Sequence, residues 1–451
     1  MEQSHILLLP FPSQSHVNPM LQFGKRLASH NLHVTLANTK FLNNTTKPDP
    51  GPVSIESISD GFDSDGFNAA PNVESYLDRL ESVGSETLSD LIESLKSKSR
   101  PVHVLVYDPF LAWAWDVADR FGLRSAAFFT QSCAVDVIYG HVWEGWVEVP
   151  VTDRVRLPGL GPLEPRDLPS YVSDSDRVPK YPGYAALLMN QYKNLEKVDV
   201  VLVNSFYELE KKEFDWMKSR LPVKSIGPTV PSTYLDNRIP SDSYYVFDTH
   251  TIDIAPYIDF LDSNPPRSVI YVSFGSMAAP SPEQTQEIAS AFVATKKCFI
   301  WVVRKSELAK LPKEFVRETA GRGQVVTWCN QLDVLAHVGT GCFVTHCGWN
   351  STTEGIGLGV PMVGVPQFSD QTTNAKYVED VWKVGVRVKT DEKGFVRGEE
   401  LERCIKEVMD GERSGEIREN AKKWSELAKE AISEGGSSDK SIMEFIDECC
   451  K

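Results

Sequence analysis

Two open α/β units, each a parallel doubly wound sheet with helices on both faces, are what this sequence predicts. Three observations carry the prediction. The chain has 451 residues, more than one ordinary core holds, so two domains are expected. Short apolar runs alternate with helix-patterned segments in both halves, as in repeated βα units around a parallel sheet. Between the halves, from about Ile226 to Pro266, the composition turns to Pro, Ser, Asp and Tyr without a sustained period, as in a linker.

The elements follow in order. His5 to Leu9 is a continuous apolar strand, and Pro19 to Ser29 reads as a helix burying Leu21, Phe23, Leu27 and Ala28. His33 to Ala37 and Val53 to Ile58 are strands, the second followed by the Gly/Asp-rich loop DGFDSDGF. A long amphipathic helix, broken near Gly84, is expected over Val73 to Leu95. Val102 to Tyr107 is a buried strand ending at Asp108, Ala112 to Phe121 a helix, and Ser125 to Phe129 a strand ending at Thr130. Val198 to Asn204 is expected to be the last strand of this half. A short helix at Ala255 to Leu261 lies in the linker. The second half offers strands at Val269 to Val272, Phe299 to Val303, Gln324 to Thr327, Phe343 to Thr345, Met362 to Val365 and Val384 to Val388. The tail from Asp439 to Cys449 reads as a helix. The resulting division is 1–235, a linker at 236–266, 267–435, and a closing helix at 436–451.

Composition excludes several function classes. At 41% hydrophobic and 24% charged residues the chain is of ordinary globular type. A formal net charge of −15 speaks against a nucleic-acid binder, which shows a basic face, and more weakly against anionic membranes. The eight cysteines are scattered apart from Cys449-Cys450 and read as reduced thiols. No CxxC occurs and His346-Cys347 lacks zinc spacing, so no metal site is expected. The start, MEQSHILLLPFP, has no basic leader and breaks at Pro10, as a first strand does. Without a run of about 18 apolar residues no transmembrane helix is expected. A cytoplasmic monomer is the expectation, with the Asn-x-Ser/Thr matches at Asn43, Asn44 and Asn350 unused. No G-x-G-x-x-G follows the first strand, against a dinucleotide dehydrogenase. No G-x-S-x-G occurs, against a serine hydrolase built on His16 and Asp108.

The most informative stretch runs from Trp328 to Gln371. An apolar run, Gly341 to Thr345, stops at His346-Cys347-Gly348, and a helical segment opens on Trp349-Asn350-Ser351-Thr352 with Glu354 early in it. A second short strand, Pro361 to Val365, leads to Pro366-Gln367 and Ser369-Asp370-Gln371. Two strands thus end in polar clusters at the carboxyl edge, where open α/β sheets bind ligands. A glycine before small hydroxyl residues at a helix start suits an anion; it also suits an ordinary cap.

The residues Trp328, Gln331, HCGWNS from His346 to Ser351, Glu354, Pro361 and Asp370-Gln371 resemble the UDP-sugar signature of the plant glycosyltransferases of secondary metabolism. The resemblance extends over the full length, including the opening PFPSQSHVNPMLQF. It implies a GT-B fold, two Rossmann-like domains facing across a cleft, with the closing helix packed back on the first. It implies UDP-glucose as co-substrate, no metal, and an inverting transfer to a hydroxyl or carboxyl of a small apolar metabolite. The overall sequence looks closest to the branch acting on salicylate-like phenols, carboxylic acids and triterpenoid or steroid aglycones. Animal members carry an anchor near the C-terminus; this chain, ending DKSIMEFIDECCK, is expected to have none.

The chemistry of transfer needs a base near neutrality within reach of the acceptor hydroxyl, and histidine suits it. His16 is expected in the loop after the first strand. A lone loop histidine is commonly a bystander; the resemblance makes it the catalytic base. Asp108, at the end of its strand, is either the acid that orients His16 or a helix N-cap before Pro109; the resemblance favours the first. A pure nucleotide-sugar sensor would need neither. On the donor side the resemblance implies Trp328 as a face for uracil, with Cys329 and Gln331 beside it, and Glu354 as acceptor for the ribose hydroxyls. It implies His346, Asn350, Ser351 and Ser276 as diphosphate donors, and Asp370 and Gln371 as sugar contacts, Gln371 going with glucose. Trp349 contributes through its backbone or is simply core. Thr130 is a candidate contact to the sugar or diphosphate. Two positions depart from the family pattern: Ser15 stands for the usual Gly before the histidine, and Asn330 for the usual Pro after Trp328. For the acceptor, Ser15, Trp143, Tyr184, Met189 and Phe368 are the candidates, although aromatic residues at such positions are equally at home in a core.

Overall fold

The computed structural model describes residues 4–46, 50–240, 242, 255–276 and 278–450. The chain divides into two compact units, Met1–Thr249 with Glu430–Lys451, and His250–Lys429. Within the expected linker at 236–266, residues 241 and 243–254 lie outside the described residues; the short helix there spans Ala255–Asp262.

The first unit is built on seven parallel strands. They are β1 (His5–Leu9), β2 (His33–Thr39), β3 (Ser54–Ile58), β4 (Val104–Tyr107) and β5 (Arg124–Phe129), then β8 (Val200–Val203) and β9 (Val223–Ser225). Between β5 and β8 in the chain lies a small antiparallel pair, β6 (Val155–Arg156) and β7 (Pro162–Leu163). The large sheet runs β3-β2-β1-β4-β5-β8-β9. Its central strands are apolar without interruption because both faces are covered. Alternate residues serve opposite faces: Leu7, Leu9, Leu105 and Tyr107 join one core, Ile6, Leu8, Val104 and Val106 the other. On the second face sits the helix Gln14–Ala28, whose Phe23 meets Phe128 at 5.5 Å and Phe445 at 5.8 Å. Phe445 belongs to the closing helix, Ser437–Cys449, which Lys224 also holds through Glu444 and Glu448, both at 3.0 Å.

Three expectations are corrected. The first helix starts at Gln14, five residues before Pro19, so His16 stands in a helical first turn and not in a loop. Burial of Val17, Met20 and Leu21 on the sheet outweighs the N–H that Pro19 cannot donate. The long helix Val73–Ser97 is unbroken at Gly84; a Cβ there would lie 3.1 Å from Trp113, so the glycine admits the indole. The strand Val200–Val203 is not the last of its half, because β9 follows; three residues are too few to show a period.

The second unit is a six-stranded parallel sheet: β10 (Val269–Ser273), β11 (Cys298–Val302), β12 (Gly323–Val326), β13 (Thr340–Thr345), β14 (Met362–Gly364) and β15 (Gly385–Arg387). Its order, β12-β11-β10-β13-β14-β15, is the doubly wound order of nucleotide-binding sheets. In each unit the winding reverses beside the first strand, between β1 and β4 and between β10 and β13. Ligands bind at such switch points, outside the carboxyl ends of the strands. No helix among the described residues is long and apolar enough to cross a membrane.

Candidate active site

At the switch point of the first unit, β1 leads into His16 and β4 ends at Asp108. His16 Nδ1 donates to Asp108 Oδ2 at 2.6 Å, and the two side chains are 13% and 1% exposed. Asp108 Oδ1 accepts the Phe110 N–H at 3.0 Å. One oxygen of Asp108 thus meets His16 and the other caps the turn that follows. A proton on Nδ1, facing a carboxylate, leaves Nε2 as the basic nitrogen. Thr130, at the end of β5, places Oγ1 3.1 Å from the same Nδ1. Phe11 and Phe110 flank the imidazole, with ring centroids at 5.4 and 5.0 Å. Neither phenylalanine was among the sequence candidates; a signal existed, since Phe11 stands two residues past the end of β1 and Phe110 two residues past Asp108.

At the switch point of the second unit, β10 ends before Gly275-Ser276 and β13 ends at His346. Gly275 has φ +73°, and a Cβ on it would come within 2.7 Å of His346 Nε2; on Gly348 it would come within 2.5 Å. Two glycines thus admit the imidazole edge between them. Burial pushes the His346 pKa down to about 4, against the opposing pull of the Ser273 carbonyl, so the ring is neutral at pH 7. The helix Trp349–Gly357 opens on Gly348 with no side-chain cap and no acidic residue in its first turn. A helix end of this kind offers backbone N–H groups and a positive dipole to an anion. Cys347 and Ser369 both take left-handed backbone, φ +61° and +58°, which non-glycine residues adopt at a cost of about 1–3 kcal/mol each.

The other signature residues divide by where their side chains go. Gln331 accepts from the Tyr271 hydroxyl at 3.1 Å and donates to Ser351 at 3.0 Å and Glu354 Oε2 at 2.6 Å. Both ends of its amide thus hold protein groups, Glu354 among them. Gln371 Oε1 accepts the N–H groups of Gln367 and Phe368 at 2.8 and 3.1 Å, which aims its amide. Cys329 turns inward, its sulfur 3.5 Å from the Tyr271 hydroxyl, and burial pushes its thiol up to about 12. Trp349 is core: its indole is 4% exposed and meets Trp382 at 6.1 Å. Trp328 is half-buried, and Ser276 is exposed with its carbonyl accepting from Arg304.

The acceptor candidates are less well gathered. Tyr184 and Met189 pack, half-buried, on the same core as Phe11 and Phe110. Ser15 is exposed, its hydroxyl 3.1 Å from that of Ser13. Phe368 is half-buried in the second unit. Trp143 is the last residue of the helix Cys133–Trp143, 47% exposed, about 15 Å along that helix from the end beside Thr130. No group of three His, Cys, Asp or Glu side chains among the described residues is arranged to hold a metal ion.

Comparison with known proteins agrees with this geometry. The family described as UDP-glucoronosyl and UDP-glucosyl transferase matches residues 249–434. Crocetin glucosyltransferase 2 of Crocus sativus is 65% identical over 446 residues, covering 99% of this chain and 97% of its own. The flavonol 7-O-beta-glucosyltransferase of Arabidopsis thaliana is 47% identical, covering 98% of each. The crystal structure of Os79 from O. sativa in complex with UDP superposes with a TM-score of 0.93 at 44% identity, covering 98% of this chain and 99% of that one. This chain therefore belongs to the plant family-1 UDP-dependent glycosyltransferases of GT-B fold, and is a UDP-glucose-dependent glycosyltransferase.

Proposed function

We propose that the enzyme moves glucose from UDP-glucose to a hydroxyl of a small apolar metabolite by one in-line displacement, with His16 as the base. The observation that carries this reading is the His16–Asp108 bond at 2.6 Å, which turns a basic Nε2 outward from a buried carboxylate. Nε2 takes the acceptor proton as the oxygen attacks the anomeric carbon opposite the bond to UDP. That bond breaks with its electron pair on the diphosphate, and the α-linked donor gives a β-glucoside. Asp108 stabilises the imidazolium that forms. The departing charge meets the N-terminus of the helix Trp349–Gly357, with Asn350, Ser351 and Ser276 as hydrogen-bond donors and the neutral His346 ring beside them. Trp328 stacks on uracil, Glu354 takes the ribose hydroxyls in the orientation set by Gln331, and Asp370 and Gln371 take the sugar.

Phe11 and Phe110 favour a flat apolar acceptor held against the base. The relatives support the same class: they are named for crocetin and for a flavonol, and the rice protein was crystallised with a trichothecene. A panel of phenolic, terpenoid and carboxylic acceptors, with mass detection of a hexose adduct, tests the reading. UDP release from UDP-glucose should require the acceptor. Binding of UDP-glucose with no acceptor-dependent release would show a sensor instead.

A further inference from the structure

We infer that Asn374 is a positioning residue, locking the sugar-binding carboxylate of Asp370 to the turn that opens the phosphate-binding helix. This rests on the donor-site reading above. Asn374 is 1% exposed, on the short helix Gln371–Lys376. Its Nδ2 lies 2.7 Å from Asp370 Oδ2 and 3.0 Å from the Cys347 carbonyl. Both partners can only accept, so the nitrogen and not the oxygen faces them, and its two protons are both used. One amide thus joins the segments that follow two neighbouring strands, Cys347 after β13 and Asp370 in the loop after β14.

Each bond restrains a group that needs restraint. Asp370 stands at the N-cap position of its helix. The Asn374 amide, holding one carboxylate oxygen, sets the plane in which the group meets a sugar. Cys347 holds a left-handed backbone, φ +61°, with its sulfur packed where a Cβ on Gly364 would come within 2.9 Å. That conformation brings the chain round to Gly348 and the helix start. The Asn374 bond holds the carbonyl of this uncommon turn in place. A shift in either end is transmitted to the other, so diphosphate and sugar contacts keep a fixed separation, as in-line transfer requires.

The test uses the full chain with UDP-glucose and an acceptor it turns over, in Asn374→Ala, Asn374→Asp, Asp370→Ala and the Asn374→Ala/Asp370→Ala double variant. Loss of a buried charge-assisted bond predicts a fall of about 10- to 100-fold in kcat/KM for UDP-glucose in Asn374→Ala. The Kd of UDP, which meets the restrained turn but lacks the sugar, should rise by a clearly smaller factor than the fall in kcat/KM, read by calorimetry. Asp370→Ala should fall comparably, and the double variant should be little worse, since the two act as a unit. Asn374→Asp sets two carboxylates in contact, which hold the bond only while sharing a proton. Its activity relative to the wild type should rise as pH is lowered. The inference is overturned if Asn374→Ala keeps its kcat/KM, or loses UDP and UDP-glucose affinity by one common factor, the mark of a merely structural role. Should Asn374→Ala not fold, the absence of recovery at low pH in Asn374→Asp overturns it. An unimpaired Asp370→Ala overturns the sugar reading itself; an impaired Asp370→Ala beside an unimpaired Asn374→Ala overturns the positioning alone.

Discussion

Replacing His16 by alanine removes the one group placed to take the acceptor proton. General-base catalysis contributes about 10²–10⁴-fold, or roughly 3–5 kcal/mol of barrier, and the structure argues for the upper part of that range. The imidazole is oriented by a 2.6 Å bond to a carboxylate that is 1% exposed, between two phenyl rings, so little reorganisation accompanies proton transfer. Asp108→Asn is the sharper companion. It can keep the contact that caps the Phe110 N–H, but an amide facing Nδ1 donates, which moves the imidazole proton to Nε2 and abolishes the base. It should lose turnover nearly as His16→Ala does, and the double variant should be little worse than either. Asp108→Ala also loses the cap, about 1 kcal/mol of stability, and should melt lower. The assay is single-turnover formation of glucoside from a phenol or alcohol, with UDP binding measured separately and expected to be nearly unchanged, because most of the donor residues lie in the second unit. An acceptor with an ionised carboxylate needs no base and should suffer less. Near-native turnover of His16→Ala on an alcohol would refute the base assignment, and an α-glucoside product would refute single displacement.

Three further outcomes are expected. His5 is 1% exposed and burial pushes its pKa down to about 4, so it is neutral when folded and takes a proton on unfolding below pH 6.5. Its contribution is complete above pH 6.5 and is lost as pH falls to about 4, a total of about 3 kcal/mol that His5→Gln should remove from the slope of denaturant stability against pH. UDP-glucose should be preferred over UDP-galactose at matched acceptor concentration, given Gln371 with its amide aimed by the Gln367 and Phe368 N–H groups; a galactose preference would contradict this. Activity should survive EDTA, and abolition reversed by a divalent ion would reveal a metal site.

Much of the fold was legible because its elements are locally encoded. Strands such as His5–Leu9 and Val104–Tyr107 are apolar on both faces, and only a covered parallel sheet accommodates such runs. The donor residues were legible for a similar reason: they crowd into one stretch, from Trp328 to Gln371, where residue type and spacing are read together. Boundaries that depend on burial were not. The helix around His16 starts before Pro19 because its buried face lies against strands distant in sequence, and no local preference announces that. Tertiary structure alone decided which atoms meet. It divided the two oxygens of Asp108 between a histidine 92 residues away and a backbone cap, and set Phe11 and Phe110 beside that ring. It spent the amide of Gln331 on Glu354 and Ser351, turned Cys329 and Trp349 into the core, and carried Trp143 to the far end of its helix. The physical reason is common to all of these. A residue's chemistry belongs to its side chain and is written in the sequence, whereas the direction of its hydrogen bonds depends on neighbours that only the folded chain brings within about 3 Å.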